Sequence, residues 1–250
     1  MNLSEYSRRP SGEVRIGRVV IGGGHPVAVQ SMTNTDTNDT EACAAQIERI
    51  DRAGGGIVRL TAQGRREGEN LANIVRRVRE DGFDTAIVAD IHFVPEVAAI
   101  AAKYVDKVRI NPGNIGGKER VKAVADACRQ KGIPIRIGVN GGSLEKPLLE
   151  KYGKVCPEAL VESAFGHIRL LNQFDFDDIC VSLKSSSVPV TMAAYRLMGE
   201  RSQYPLHLGV TEAGTRTTGT IKSAIGIGGL LAQGIGDTFR VTLTADPVEE

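Results

Sequence analysis

Two kinds of apolar spacing alternate along the chain. Short, mostly apolar runs predict β-strands, and longer segments in which apolar residues recur every three to four positions predict amphipathic helices. Eight strands are predicted, at residues 27–32, 57–61, 86–91, 107–111, 133–139, 178–184, 206–211 and 238–243. Helical stripes between them include two sets: Leu71, Ile74, Val75 and Val78, and Val161, Ala164, Phe165 and Ile168.

The spacing of these strands indicates the fold. Successive strands begin roughly 20 to 45 residues apart, which is typical of βα units joined by right-handed crossovers in a parallel sheet. Eight such units predict one domain spanning residues 1–250, a closed (β/α)8 TIM barrel. An open doubly wound sheet is the alternative. The glycines at 224–229 lie inside a small-residue helix and follow no strand, so they are interpreted as packing glycines.

The segment before the first barrel strand, EVRIGRVVIGGGHPV, predicts a short β-hairpin that closes the floor of the barrel. Residues 1–12 contain no apolar core of a secretory signal, and no apolar run is long enough to span a membrane. The net charge is +1, aromatic residues make up 4% and tryptophan is absent, which argues against nucleic-acid binding. We therefore expect a cytoplasmic protein that acts on a small molecule.

The metal-ligating residue types are scattered. Cys43, Cys128, Cys156 and Cys180 are widely spaced and form no CxxC pair, which argues against a zinc ribbon and against a complete iron–sulfur ligand set. Asp90 and His92 form a D-x-H pair without evident further ligands. No metal site is predicted within this chain.

Polar residues gather where the predicted strands end, which is where barrel active sites form. Strand by strand these residues are Gln30 and Ser31, Arg59 and Thr61, Asp90 and His92, Arg109 and Asn111, Arg136 and Asn140, Ser182 and Lys184, Thr211 and Glu212, and Arg240 and Thr242. Five of them are cations and two are acids, so the strand ends carry a surplus of positive charge that the whole chain lacks.

A buried charge costs several kcal/mol unless it finds a partner, and guanidinium groups bind phosphate oxygens bidentately. A multiply charged anion such as a diphosphate would therefore suit the cations Arg59, Arg109, Arg136, Lys184 and Arg240. Alternatives stay open: each arginine could pair with a neighbouring carboxylate, His92 could be a core or loop histidine, and Lys184 could be the Schiff-base lysine of a phosphosugar aldolase. A non-catalytic anion-binding module is a further alternative.

The motifs VAVQSMTNT, VRLTAQG, VADIHF, VRINPGNIG, IRIGVNGGSLE, VSLKSS, GVTEAG and KSAIGIGGLLAQGIGDTFRVTLT together resemble the 4-hydroxy-3-methylbut-2-en-1-yl diphosphate synthases of the non-mevalonate isoprenoid route. The resemblance covers residues from about 14 to 246. It implies a TIM barrel that binds 2-C-methyl-D-erythritol 2,4-cyclodiphosphate. Its diphosphate would be bound by the same five cations. Asp90, His92, Asn111, Asn140 and Glu212 would contact the carbon skeleton and hydroxyls, and Thr242 stands where the family often has serine.

The resemblance also implies the chemistry. The substrate ring is opened and water is lost, with two electrons delivered through a [4Fe–4S] cluster from ferredoxin or flavodoxin, in a homodimer. Glu212 is expected to move a proton of a substrate hydroxyl. The family holds its cluster with three cysteines and a glutamate in a domain after the barrel, and the four cysteines here do not match those positions. We therefore expect the barrel portion alone, which binds substrate without turning it over.

Overall fold

The computed structural model describes residues 6–92 and 94–250, so the first five residues of the polar N-terminal segment lie outside it. The described chain starts with an antiparallel hairpin of β1 (Val14–Ile16) and β2 (Val19–Ile21). Alternating apolar residues form it, and Ile16 and Ile21 are fully buried. The hairpin predicted from the sequence is confirmed.

A parallel eight-stranded sheet follows within the described residues. Its strands are β3 (Ala28–Met32), β4 (Ile57–Ala62), β5 (Ala86–Ile91), β6 (Lys107–Ile110), β7 (Ile135–Asn140), β8 (Ile179–Lys184), β9 (His207–Leu208) and β10 (Thr238–Phe239). Their order is β8-β7-β6-β5-β4-β3-β10-β9. A parallel bridge between Val181 and Leu206 brings the two ends of this order together. The sheet thus curls into the predicted TIM barrel, and the open-sheet alternative is wrong.

Two strands are much shorter than the sequence predicted. The apolar segments at 206–211 and 238–243 pair as strands for only two residues each, in β9 and β10. Arg240 N–H still donates to Leu208 O of β9, and farther along Thr244 N–H donates to Gly214 O in the loop that follows β9. The residues that follow these two strands include Thr211, Arg240 and Thr242, which line a cavity at the carboxyl end of the barrel.

Helices surround the barrel. They are α1 (Thr40–Arg52), α2 (Arg65–Glu80), α3 (Pro95–Ala101), α4 (Pro112–Ile115), α5 (Lys118–Lys131), α6 (Lys146–Tyr152), α7 (Pro157–Asn172), α8 (Val188–Arg201), α9 (Arg216–Ser223) and α10 (Gly229–Leu231). The two stripes predicted from the sequence lie in α2 and α7 and face the sheet. A π-helical segment, Ala224–Gly228, joins α9 to α10. None of the helices in the described ranges combines the length and apolar character that a bilayer span requires.

The glycines of this last helical region do pack closely. A Cβ added at Gly226 would lie 2.9 Å from Cγ2 of Val210, and one at Gly229 would lie 2.9 Å from Cε of Met192. The packing interpretation holds for these two positions, whereas Gly228 faces open space.

The two faces of each barrel strand have different environments. In β4, Val58, Leu60 and Ala62 pack in the large core beneath the helices, while Ile57 packs against the hairpin in a second cluster. Arg59 lies between these positions and, by the two-residue period, faces the barrel interior with Ile57. The interior is therefore apolar at the hairpin floor and cationic toward the carboxyl ends of the strands.

Candidate functional site

A cavity of about 210 Å³ opens at the carboxyl end of the barrel. It is lined by Met32, Arg59, Asp90, His92, Arg109, Arg136, Asn140, Ser182, Lys184, Thr211, Arg240 and Thr242. The five cations singled out from the sequence therefore come together around one space. Their alignment follows from strand register, since Asp90 pairs with Arg109 and Arg109 with Arg136 across adjacent strands.

Asp90 is shared by two of these cations. Arg59 Nε lies 3.3 Å from its Oδ2, and Arg109 Nη1 donates to Oδ1 at 2.9 Å. His92 Nε2 lies 3.4 Å from Oδ2. Burial alone would raise the pKa of Asp90, but the charges of Arg59 and Arg109 outweigh it and hold that pKa well below its usual range. Asp90 is thus a carboxylate that orients two arginines.

Arg240 has a different acidic partner, Glu250. Its Nε donates to Glu250 Oε2 at 2.8 Å and its Nη2 donates to Oε1 at 2.7 Å. The third nitrogen, Nη1, lies 3.3 Å from the sulfur of Met32, and Nη2 of Arg59 lies 2.8 Å from the same sulfur. Two guanidinium groups therefore converge on one weakly accepting atom at the cavity wall.

Arg136 and Lys184 lack such neutralisation. Neither has an ion pair within the described part of the chain, and Arg136 is fully buried with Nε and Nη1 unpartnered there. Burial, reinforced by the charge of Arg109, lowers the pKa of Arg136 to about 10. Burial, reinforced by Arg136 and other cations, also holds the pKa of Lys184 well below its usual range. An anion in the cavity would supply the missing negative charge.

Two glycines make room for these side chains. A Cβ added at Gly138 would lie 2.7 Å from Nη2 of Arg109, and one at Gly209 would lie 2.7 Å from Nζ of Lys184. Neither glycine has a left-handed backbone, so the requirement comes from the close approach of the cation rather than from the turn. Neither was predicted from the sequence.

Two further polar residues were also missed. Lys107 and His207 are both fully buried, and neither Lys107 Nζ nor either ring nitrogen of His207 has a hydrogen-bond partner among the described residues. Lys107 precedes Arg109 by two positions and His207 precedes Gly209 by two, so both face the barrel interior beneath the cavity. The two-residue period of a strand could have indicated them, because each lies two positions before a residue at the cavity and therefore on the same face of its strand.

Two predicted site residues lie outside the lining of the cavity. Asn111 is buried and donates through Nδ2 to Ser143 Oγ at 2.9 Å. Glu212 is exposed, and its φ of 51° places it in the left-handed region, which is unusual for a residue other than glycine. It follows Thr211, which does line the cavity.

The cysteines are dispersed in the structure. Cys43 lies in α1 and contacts Thr35 Oγ1, Cys128 lies in the buried face of α5, Cys156 caps α7, and Cys180 lies inside the barrel near its floor. Across residues 6–92 and 94–250, no three histidine, cysteine, aspartate or glutamate side chains are grouped so as to hold a metal ion.

The sequence matches the family model described as the GcpE TIM-barrel domain over residues 11–250. The chain belongs to the GcpE TIM-barrel domain family. Two curated relatives support this family assignment. The chain is 52% identical over 244 residues to the 4-hydroxy-3-methylbut-2-en-1-yl diphosphate synthase (flavodoxin) of Ruminiclostridium cellulolyticum, and 53% identical over 248 residues to the enzyme of the same name from Azotobacter vinelandii.

The match covers 97% of this chain and 68% of the first relative, and 99% of this chain and 66% of the second. The GcpE barrel therefore spans about two thirds of the length of these relatives. Among solved structures, 3-dehydroquinate dehydratase from Geobacillus kaustophilus is similar with a TM-score of 0.67 at 13% identity, covering 97% of this chain and 93% of that one. At this identity the likeness shows the barrel fold alone.

Proposed function

We propose that this GcpE barrel binds 2-C-methyl-D-erythritol 2,4-cyclodiphosphate as part of a 4-hydroxy-3-methylbut-2-en-1-yl diphosphate synthase. One observation carries the proposal: five cations line a single cavity in which Asp90 is the acidic lining residue. Glu250 offsets one further charge from outside the lining. A cyclic diphosphate carries two adjacent phosphate groups, whose negative charges would offset the positive charges that Asp90 and Glu250 leave unneutralised.

The cations have distinct parts in this proposal. Arg136 and Lys184, which have no carboxylate partner among the described residues, would contact phosphate oxygens from below and from the side of β8. Arg59 and Arg109 would contribute the donor edges that Asp90 leaves free. Charge-assisted hydrogen bonds of this kind contribute about 1.5–3 kcal/mol each, and they act most strongly where water is excluded.

The neutral groups would contact the remainder of the ligand. Asn140 and Thr242 line the cavity, as does His92, and their polar atoms suit substrate hydroxyls and phosphate edges. Asn111 would join them from its position beside Ser143. Asp90 would accept from a hydroxyl while it keeps Arg59 and Arg109 in place.

The overall reaction that we propose for the whole protein balances as a two-electron reduction. The cyclic diphosphate takes up two electrons and two protons, the bond between a ring carbon and its phosphate oxygen breaks, one hydroxyl leaves as water, and the linear hydroxymethylbutenyl diphosphate forms. A flavodoxin, named for the relatives, or a ferredoxin would supply the electrons in the cytoplasm. A homodimer stays a prediction.

The cysteines of the GcpE barrel do not fit a [4Fe–4S] cluster. Cys43 and Cys128 lie in different helices on the outside of the barrel, whereas Cys180 lies inside it, and a cluster requires ligands that converge within bonding distance. We therefore assign the cluster ligands of the whole protein to residues outside these 250. Anaerobic reconstitution of this chain with iron and sulfide should yield neither a stoichiometric cluster absorbance nor product diphosphate with dithionite.

Glu212 is the residue to which we assign proton transfer. It adjoins the cavity through Thr211, and its left-handed backbone costs about 1–3 kcal/mol for a residue other than glycine. Such strain is often retained where a side chain must be aimed at a ligand. The exposed carboxylate would move a proton of a substrate hydroxyl or of the departing water.

A Schiff-base aldolase is the second candidate, because the pKa of Lys184 is lowered by burial and by neighbouring cations. Borohydride treatment with a phosphosugar carbonyl compound should leave Lys184 unmodified if the first proposal is right. A non-catalytic anion-binding module is the third candidate.

Thermal unfolding tests the proposal that the barrel binds the cyclic diphosphate. The unfolding temperature of the chain should rise with the cyclic diphosphate and stay unchanged with 2-C-methyl-D-erythritol. Equal shifts with both compounds would contradict it.

A further inference from the structure

The back of the Arg240 guanidinium is held by a carboxylate that is almost fully enclosed. The side chain of Glu250 is 2% exposed, and its two oxygens accept from Nε and Nη2 of Arg240. Leu243 N–H donates to Oε1 at 3.1 Å, and the Ser31 hydroxyl, whose single proton is shared with Pro247 O, lies 3.1 Å from Oε2. Three N–H donors and this hydroxyl thus surround the carboxylate, so Glu250 occupies a built site rather than a chance surface contact.

This carboxylate lies outside the lining of the cationic cavity and, together with Arg240 and Leu243, lines a neighbouring cavity of about 590 Å³. Arg240 also lines the cationic cavity, whereas Glu250, Ser31 and Leu243 do not. With Nε and Nη2 taken by Glu250, the remaining nitrogen Nη1 points toward Met32, where Nη2 of Arg59 also ends. Glu250 therefore determines which edge of the Arg240 guanidinium a ligand in the cavity would meet.

The segment that carries Glu250 is itself fixed by neighbouring acids. Asp246 pairs with Arg49 in α1 and caps a short helical turn, Pro247–Glu249, while Glu249 Oε2 lies 2.8 Å from Arg216 Nε in α9. Pro247 O accepts from Ser31 Oγ at 2.9 Å. Three elements around the barrel rim thus hold the segment in place.

We propose that Glu250 is a positioning residue for the anion pocket, because its carboxylate fixes Arg240 so that Nη1 meets the same phosphate oxygen as Nη2 of Arg59. The sulfur of Met32 accepts weakly from both donors, so a phosphate oxygen would replace it as the better acceptor. Glu250 stays in place during binding, since it reaches Arg240 from outside the cavity. The inference rests on the proposed function and adds a residue to its binding machinery.

The test uses titration calorimetry of the chain with inorganic pyrophosphate, which carries the diphosphate chemistry alone. Glu250→Gln keeps the shape of the side chain but removes its charge, and we expect binding to weaken about tenfold, on the scale of one charge-assisted hydrogen bond. Glu200→Gln, which removes an exposed acid on α8 that has no part in holding Glu250, should bind as the wild type does.

A double-mutant cycle separates positioning from general stability. In an Arg240→Met background, Glu250→Gln should cause no further loss, because the group that it positions is gone. Losses that simply multiply would overturn the inference, as would wild-type or tighter binding by Glu250→Gln alone, since tighter binding would make Glu250 a competitor of the ligand.

Two controls keep the outcomes distinct. If the wild-type chain fails to bind pyrophosphate or the cyclic diphosphate, the proposed function fails, whereas normal wild-type binding with an unaffected Glu250→Gln variant overturns only this inference. If Glu250→Gln does not fold, Glu250→Asp keeps the charge but shortens the reach to Arg240. That variant should show the same loss in pyrophosphate binding, and wild-type affinity would overturn the inference.

Discussion

Arg109 crosses directly over Gly138, and the two residues lie on adjacent strands of the barrel. Nη2 of Arg109 lies 3.4 Å from Gly138 O, and a Cβ at Gly138 would lie 2.9 Å from the guanidinium carbon. Nη1 of the same arginine donates to Asp90 at 2.9 Å. The missing side chain of Gly138 is therefore what allows Arg109 to lie flat between its carboxylate and the cavity.

Gly138→Ala should displace the Arg109 guanidinium while leaving the backbone in place, because the displaced group is the end of a flexible side chain. We expect pyrophosphate affinity to fall about tenfold, with an unfolding free energy within about 1 kcal/mol of the wild type. Gly142→Ala, at a nearby position with open space for a Cβ, is the matched control. Unchanged affinity in Gly138→Ala would show that Arg109 does not contact the anion.

Arg136→Met should have opposite effects on stability and on binding. The wild-type guanidinium is fully buried without an ion pair among the described residues, and the fall in its pKa to about 10 corresponds to about 2–4 kcal/mol of unfavourable burial. Methionine removes that cost, so denaturant unfolding should show a more stable protein.

The same variant should lose about 2–5 kcal/mol of binding free energy for the cyclic diphosphate, because an anion would be left underpaired. Arg66→Met, on the exposed face of α2, controls for the loss of one positive charge. A variant that is less stable and binds normally would contradict both parts of the account.

Lys107 gives a pH dependence with a defined sign. Burial, reinforced by Arg136 and Arg59 and opposed by Cys180, lowers its pKa from 10.5 to about 7. Between these values the unfolded chain binds more protons than the folded chain, so this lysine makes folding more favourable as the pH rises from 7 toward 10.5.

Lys107→Met removes this linkage. The variant should be more stable than the wild type by on the order of 4 kcal/mol at about pH 7, and its advantage should shrink by about 1.4 kcal/mol per pH unit on going to about pH 9.5. Urea unfolding of both proteins at several pH values measures the difference and cancels the other titrating groups. A gap that does not change with pH would show that Lys107 stays charged in the folded protein.

Glu212→Gln tests the assigned proton transfer in the whole enzyme. With a reducing system that supplies flavodoxin, kcat should fall by about 10²–10⁴-fold, the usual range for general acid–base groups, while KM changes little. Glu200→Gln, which neutralises a distant exposed acid on α8, is the matched control and should leave kcat unchanged. An unchanged kcat in Glu212→Gln would restrict Glu212 to a structural part.

The sequence predicted the barrel and the positions of its cations because both depend on local period. Arg59, Arg109 and Arg136 occur in separate apolar strands, at the third residue of β4, the third of β6 and the second of β7. The register between the parallel strands brings them to one cavity at the end of the barrel. The hairpin followed from the two-residue alternation of its apolar residues, and the helical stripes followed from the period of three to four residues.

The pairing of charges could not be predicted, because it depends on contacts across the fold. Nothing local indicates that Asp90 serves two arginines, or that Glu250 turns back onto Arg240. Likewise, nothing in the apolar runs at 206–211 and 238–243 indicates that they pair as strands for only two residues each, in β9 and β10. These features are tertiary, although the residue types that make them are visible in the sequence.

We propose that the cationic cavity of this GcpE barrel binds a diphosphate. Titration calorimetry with the cyclic diphosphate across a series of salt concentrations measures this binding. We predict one ligand per chain, an affinity that falls steadily as salt screens the contacts, and weaker binding in Arg136→Met at every salt concentration. Absence of binding at low salt, or binding that neither salt nor Arg136→Met weakens, would contradict the account.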